Sequence, residues 1–459
     1  MKIIIVGLGQ TGNLLIASLS NESYEVSVID QDRRLVDAAT DKYNVNGVVG
    51  SGASRETLLA AGADTADAIV ALTHTDEINL LSCMQAKALG TRYAAARILM
   101  PDFVHDADNL MKEYNIDFLM KPRLDVAEEI HGNLGMPGFT KLEGFWDTEM
   151  QVLNMNILDD SVLAGRSLTD IKQSLGLDIL IVTVIRGGKL FIPRGDFVLE
   201  SGDSINVIIA GDQLGYTLTK LGINRSRAKK IVIVGGSTTC DYLLKMLGKG
   251  HHDITILESD AGRCRELMEE YPNINVVFCV GDTLEILEEE RVSKADMIIS
   301  LTNHDETNLV ISMYAWSCKM PSIITRVDKP EHVKLLHKVN IDITVSPAET
   351  SALMAMRFLR SREAADSGKN IGKFYLLAEG MAEIMEFPAE DDFKCLDIPF
   401  KEKAFRLKKD VLIAGILRDR KLIIPSGNTS ISRGDRVIIT TSRKNRIRSL
   451  NDMLNNELF

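Results

Sequence analysis

Two Rossmann-like α/β lobes, each a doubly wound parallel sheet followed by a small α+β lobe, are the architecture that this 459-residue sequence predicts. Three observations carry that expectation. The chain opens on a strand–glycine turn–helix–strand pattern. The same pattern returns in its second half, with Gly235 standing where Gly7 stood, an offset of 228. After each copy the hydrophobic period changes from alternating strands and helices to short hairpins.

In order, Met1–Val6 is a short apolar run that suits a buried parallel strand. Gly7-Leu8-Gly9-Gln10-Thr11-Gly12 is a GxGxxG, and a helical period follows to about Ser20. Val26–Ile29 forms a second strand, which ends on Asp30. In this motif Gly7 permits the tight turn, Gly9 lets the backbone approach a pyrophosphate, and Gly12 lets helix and strand pack closely. The free N–H groups of the helix start face the phosphates, and a carboxylate at Asp30 accepts from ribose hydroxyls and repels a 2′-phosphate. Further strands are expected near 46–49, 67–72, 93–98 and 117–120, with helices between, an alternation that argues for a parallel sheet.

Lys121-Pro122 and Ser346-Pro347 then open a last amphipathic helix in each copy. These helices carry apolar positions that a single lobe need not bury: Leu124, Val126, Ala127 and Ile130, then Ala352, Leu353, Ala355, Met356 and Leu359. Two readings stand, a dimer contact or a return onto each helix's own sheet.

The duplication is explicit elsewhere too. Ala66–Thr73 returns as Ala295–Thr302, Thr73-x-x-Asp76-Glu77-x-Asn79 as Thr302–Asn308, Ala96-Arg97-Ile98 as Thr325-Arg326-Val327, and Asp30 as Glu258. Each hairpin module has a strand pair around Arg186-Gly187-Gly188-Lys189 or its copy Arg418–Lys421, then Ile-Pro, Gly-Asp and a closing strand, Ile205–Ile209 or Val437–Thr440. Arg194-Gly195-Asp196 reads as turn chemistry, because the copy has Ser426-Gly427-Asn428 there. Linkers are expected near 133–140, 222–230 (basic, read as a solvated hinge) and 361–370, giving lobes at 1–135, 140–222, 228–362 and 371–455.

Composition narrows the function. A net charge of −11 argues against a nucleic-acid surface and against anionic lipid. No apolar run approaches the roughly 18–20 residues that span a bilayer, and the short apolar opening, broken at once by glycine, does not read as a secretory leader. Six cysteines without CxxC and eight histidines without HExxH suggest reduced thiols of a cytosolic protein and no metal site.

The ligand shell expected in the first copy is Gly7–Gly12, Asp30, Ser51-Gly52, Thr73-His74 and Arg97, the last two at carboxyl ends of sheet strands. Thr73 reads either as a helix N-cap alone or as a cap that also contacts ligand, with Asp76-Glu77 in the first turn. His74 reads as an exposed loop residue before a catalyst. In the second copy Gly235 and Gly236 are kept, but Ser237 and Cys240 stand where the other two motif glycines belong. Ser237 would crowd a pyrophosphate and Cys240 would push helix from strand. Glu258, Thr302 and Arg326 persist, so a smaller or differently posed nucleotide, or none, fits this copy. No P-loop occurs, and the lone Tyr-x-x-x-Lys, Tyr216–Lys220, lies outside the Rossmann-like unit. Nucleotide sites without acid–base partners suggest sensing, the rival being an NAD-dependent oxidoreductase.

The order GxGxxG, acidic strand end, Ala-Asp…Thr-x-x-Asp-Glu-x-Asn and Ala-Arg-Ile, followed by a hairpin module with Ile-Pro and Gly-Asp, resembles the RCK (regulator of potassium conductance, or KTN) family over nearly the whole chain. The resemblance implies a cytosolic subunit, peripheral to the inner membrane face, of a Trk/Ktr-type potassium-translocating membrane protein. It implies NAD(H) or ATP/ADP bound in the N-terminal lobes, and a homo-oligomeric ring, favoured here as a tetramer of eight lobes, whose shape gates the pore. It places nucleotide contacts at Gly7 through Gly12, Asp30, Thr73, His74 and Arg97, and at Gly235, Gly236, Glu258 and Arg326 of the copy.

Overall fold

The computed structural model describes the chain except residues 21–23, 135–140, 146–149, 160, 178, 211–212, 222–227, 249–251, 280–282, 340, 342, 367–373, 379, 403–404, 420, 446 and 456–459. Of the three expected linkers, residues 135–140, 222–227 and 367–370 lie outside the described residues, whereas 361–366 are helical and not linker. The chain divides into two compact units, Met1–His131 with Ala228–Arg362, and Gly132–Arg227 with Glu363–Phe459.

The first unit holds both Rossmann-like lobes. Lobe one runs β1 (Lys2–Val6), α1 (Gln10–Leu19), β2 (Glu25–Asp30), α2 (Arg33–Lys42), β3 (Asn46–Val49) and α3 (Arg55–Ala60). It continues through β4 (Ala68–Ala71), α4 (Asp76–Leu89), β5 (Tyr93–Arg97), α5 (Pro101–His105), α6 (Ala107–Glu113), β6 (Phe118–Met120) and α7 (Pro122–Asn133). Its sheet order is β3-β2-β1-β4-β5-β6, parallel throughout. Helices cover both faces, which is why Ile3–Val6 and Ala68–Ala71 are buried without alternation. The order reverses between β1 and β4, and that switch point puts the Gly7 loop beside the residues that follow β4.

Later in the chain, the second unit takes β7 (Lys141–Phe145), β8 (Met150–Asn156), α8 (Leu168–Leu175), β9 (Ile179–Arg186), β10 (Lys189–Phe191), β11 (Ser204–Ala210) and α9 (Leu214–Lys220). Lobe two of the first unit then repeats lobe one. It has β12 (Lys230–Val234), α10 (Thr238–Leu247), β13 (Asp253–Glu258), α11 (Ala261–Glu270), β14 (Asn275–Phe278) and α12 (Thr283–Glu289). After these come β15 (Met297–Ser300), α13 (Asp305–Ser317), β16 (Ser322–Arg326), α14 (Pro330–Lys338), β17 (Ile343–Val345) and α15 (Pro347–Asp366). The sheet order is again β14-β13-β12-β15-β16-β17. The repeated Ala-Asp is structural: Asp67 accepts from the Lys2 N–H and Asp296 from those of Lys229 and Lys230, pinning the start of each first strand.

α15 shows where one of the two apolar stripes is covered. Its Ala352, Ala355, Met356, Phe358 and Leu359 join the core of lobe one, with Ile3, Ile5, Leu15 and Val28. Phe358 stacks on Phe118 at 5.6 Å. That face of the helix therefore packs on the other lobe of the same chain, a partner that neither reading named. An apolar stripe must be covered, and the duplicated partner is tethered at high effective concentration.

The second unit closes with β18 (Phe374–Leu377), β19 (Ala382–Pro388), β20 (Val411–Arg418), β21 (Lys421–Ile423) and β22 (Arg436–Ser442). Its two five-stranded antiparallel sheets, β10-β9-β11-β8-β7 and β18-β19-β22-β20-β21, share one strand order. They share a core as well, Val152, Val182 and Ile208 meeting Ile384, Ala414 and Ile438. Gly187 and Gly188, at φ +55° and +73°, make the two-residue hairpin turn read from sequence. The Arg194-Gly195-Asp196 segment is a turn, closed by the Phe197 N–H on the Arg194 carbonyl. The Gly-Asp pairs have a role beyond turns. Arg186 holds buried Asp203 in a bidentate pair (both 2.7 Å), and Arg418 holds Asp435 likewise (2.8 and 2.7 Å). Strands β7, β8, β18 and β19 and helices α8 and α9 were not expected from the sequence.

Candidate functional site

At the switch point of lobe one, Gly7 adopts φ +96° and a Cβ there would lie 2.9 Å from the Thr73 nitrogen. A Cβ on Gly12 would lie 2.0 Å from the Gly7 carbonyl oxygen, so α1 meets the loop at a distance that only glycine allows. Gly9 differs. A Cβ there would meet only the His74 ring, at 3.6 Å, so the space above this residue is open. Leu8 is buried, while Gln10, the first residue of α1, is exposed.

Asp30 faces this loop from the end of β2. One carboxylate oxygen accepts from the Leu8 N–H at 2.7 Å and the other from the Asp32 N–H at 2.9 Å. A carboxylate accepts up to about four hydrogen bonds, so acceptor capacity remains for a ribose. Gly52 packs under β1, where a Cβ would press Val6 at 2.2 Å, and Ser51 caps its own turn through the Ala53 N–H.

Thr73 is placed otherwise than a cap. The N-cap of α4 is Thr75, and the Thr73 hydroxyl lies 2.7 Å from Asn79 Oδ1. Asn79, fully buried, is a residue of the repeated motif to which the sequence reading gave no role. Its Oδ1 also accepts from the Thr73 N–H (2.8 Å), and its Nδ2 donates to the carbonyls of Thr73 (3.0 Å) and Arg97 (2.9 Å). One amide thus ties the ends of β4 and β5 together. Asn308 repeats all four bonds with Thr302 and Arg326, and the recurrence of Thr-x5-Asn in both copies was the available signal. Asp76 adds a second tie, accepting from the Leu99 and Met100 N–H groups at 2.7 Å.

Arg97 is buried beneath the loop. Its guanidinium donates to Thr11 Oγ1 (3.0 Å) and the Thr73 carbonyl (2.8 Å), and burial pushes its pKa down to about 10. It braces the start of α1 against β4. His74 is exposed at the rim beside Gly9.

Lobe two keeps the frame and changes the filling. Gly235 has φ +101° and its Cβ would lie 2.9 Å from the Thr302 nitrogen. Glu258 replaces Asp30, accepting from the N–H groups of Gly236 (2.6 Å), Ser259 (2.7 Å) and Asp260 (2.9 Å). Cys240 is fully buried in the place of Gly12, and burial pushes its thiol well up. A cleft of about 710 Å³ nonetheless opens here, lined by Gly235, Gly236, Ser237, Glu258, Arg263 and Thr302 among others. Arg263 was not foreseen. It crosses the cleft edge, donating to the Gly236 carbonyl (2.7 Å) and pairing with Asp241 and Glu266. Arg326 bonds Asn303 (2.8 Å) and Asp328 (3.3 Å). Tyr216 and Lys220, on α9, belong to the second unit.

Two glycine-loop cradles at the switch points of two doubly wound sheets define a tandem Rossmann-lobe protein of the ligand-binding kind. The chain belongs to the TrkA-N/TrkA-C family: the TrkA-N domain matches residues 3–122 and 231–347, and the TrkA-C domain residues 153–222 and 384–454. A Trk system potassium uptake protein TrkA homolog of Archaeoglobus fulgidus is 28% identical over 96% of this chain and 97% of its own. The Trk system potassium uptake protein TrkA of Haemophilus influenzae is 26% identical over the full length of both. Among solved structures, the GsuK RCK domain aligns with a TM-score of 0.61 at 19% identity, covering 96% of this chain and 92% of that one. The GsuK channel bound to NAD aligns at 0.60 and 19%, over 96% and 77%. At these identities the likeness is one of fold.

Proposed function

We propose that this chain is a nucleotide-sensing regulatory subunit of a Trk/Ktr-type potassium uptake system. It works in the cytoplasm, against a membrane potassium-translocating partner, in a homo-oligomeric ring of which a tetramer of eight lobes is the simplest closed form. The carrying observation is the pair of preformed cradles: Asp30 and Glu258 each fix their glycine loop by its first free N–H, at 2.7 and 2.6 Å. The open space over Gly9 fits a pyrophosphate, so NAD(H) or ADP/ATP suits the first lobe. Gly7 through Gly12 would hold the phosphates and Asp30 the ribose, with Ser51, Gly52, Thr73 and His74 around them and Arg97 bracing the loop. Gly235, Gly236, Glu258, Thr302 and Arg326 hold the same places in the second lobe. Burial of α15 in the core of lobe one supports a mechanical role, because movement of one lobe is transmitted to the other.

The test is a thermal-shift titration of the full chain with NAD, NADH, ATP and ADP, since a ligand of the folded state raises the melting temperature by mass action. Asp30→Ala should abolish the part of the shift due to the first lobe. No shift with any of the four would overturn the sensing assignment. Light scattering that gives a single chain, with and without nucleotide, would overturn the ring.

A further inference from the structure

Resting on the nucleotide reading of the second cleft, we infer that Arg123 of lobe one completes the phosphate end of lobe two's site, making that site specific for a nucleotide with an exposed terminal phosphate. Arg123 stands in the first turn of α7, and its Nη1 lies 3.3 Å from Thr238 Oγ1 and 3.2 Å from the Leu99 carbonyl. Thr238 is the first residue of α10, the helix that leaves the second glycine loop. In a Rossmann lobe the free N–H groups of that turn are where phosphate is held.

Three further observations make the contact more than a strut. Among the described residues no carboxylate lies within ion-pair distance of Arg123, whereas Arg326 is paired with Asp328. Burial, and next the neighbouring Arg326, hold the Arg123 guanidinium below its usual pKa. Asp76 attracts Arg123 without forming an ion pair with it, and Asp328 pairs with Arg326, so Arg123 brings a charge without a bonded counter-ion to the positive end of the α10 dipole, an arrangement that an anion relieves. In addition, the hydroxyls of Ser237 and Tyr242 are buried and have no partner among the described residues. Ser237 is the N-cap of α10 yet makes no capping bond, and Tyr242 senses the Arg123 charge. Ser237 lines the cleft of about 710 Å³, so its hydroxyl is a donor open to a ligand held there.

The arrangement is one-sided. Pro122 is followed by Arg123, but the matching Pro347 is followed by Ala348, so this arginine has no counterpart at the same position of the other helix. Ser237 leaves less room for a buried pyrophosphate than Gly9 does. A ligand ending in a phosphoryl group, rather than one continuing into a second nucleoside, meets both conditions.

The experiment is calorimetric titration of the full-length chain with ATP, ADP, AMP and NAD. Wild type is compared with Arg123→Gln, Arg123→Lys and Glu258→Gln, the last identifying which heat belongs to the second cleft. Arg123→Gln should weaken ATP at the Glu258-dependent site about tenfold and compress the ATP-to-AMP affinity ratio. NAD binding in the first lobe should stay unchanged, and Arg123→Lys should recover part of the loss. A ligand-free melting temperature for each variant separates a folding defect from a lost contact, since a strut would change melting without changing the phosphate ratio. An unchanged ratio in Arg123→Gln and Arg123→Lys overturns the inference alone. Absence of any Glu258-dependent nucleotide binding in wild type overturns it together with the reading beneath it.

Discussion

Replacing Asn79 by Ala should unfold the first lobe more readily than any surface change of equal size. The side chain is fully buried and makes four contacts, to the Thr73 N–H (2.8 Å), hydroxyl (2.7 Å) and carbonyl (3.0 Å) and to the Arg97 carbonyl (2.9 Å). The hydroxyl can turn to the Thr75 carbonyl at 3.1 Å, so that loss is recovered. The other three groups lie on the backbone and have no such alternative. Each hydrogen bond contributes roughly 1 kcal/mol net, and more where its partner is left buried and unpaired. The sum is about 3 kcal/mol, which at roughly 2–3 °C per kcal/mol for a chain of this size lowers the melting temperature by roughly 6–9 °C. The assay is thermal unfolding followed by fluorescence, with Asn308→Ala as the matched change in lobe two. Asn109→Ala serves as an exposed control, expected within about 0.5 kcal/mol of wild type. Asn79→Ala should also weaken nucleotide binding to the first lobe, because Thr73 and the end of β5 lose their common anchor. A shift no larger than that of the Asn109 control would refute the reasoning.

Leu359→Ala, a change in lobe two, should cost about 2–5 kcal/mol and raise amide exchange in β1 and β2 of lobe one, because its side chain fills that core. Loss of protection confined to lobe two would contradict the packing. Gly12→Ala should damage the fold, since its methyl would sit 2.0 Å from the Gly7 oxygen, whereas Gly9→Ala should melt normally and lose nucleotide. Equal melting losses for the two variants would count against this assignment. Asp125 gives a pH signature: burial, then the nearby Glu128, raise its carboxyl from the ordinary 3.8 to about 7. The folded chain then keeps a proton that the unfolded chain releases, so stability is lost as pH rises from about 4 to about 7 and is level above. Asp125→Asn should remove that loss, a gain on the order of 4 kcal/mol near pH 8 and almost none near pH 4. Parallel stability–pH curves for variant and wild type would exclude the effect.

What the sequence by itself determined is what contiguous residues control. Gly7 and Gly235 occupy positive φ next to a strand end, Gly187-Gly188 turns a hairpin, and periods of two and 3.6 residues separate strands from helices. The tandem repeat was legible for the same reason, because each lobe must rebuild the same local pieces. Tertiary structure decided which surfaces meet. The stripe on α15 announced a buried face, but the hydrophobic effect is non-directional and does not name the partner; the fold assigned it to the other lobe. Arg97 was expected to meet the nucleotide from the end of a strand, yet its depth under the loop, bonded to Thr11, depends on how α1 settles over two strands. The roles of Asn79, Arg123 and the Arg186–Asp203 pair escaped the sequence reading because each joins segments that only packing brings together. Hydrogen bonds act over about 3 Å, and separation along the chain says nothing of distance in space until the sheets have formed.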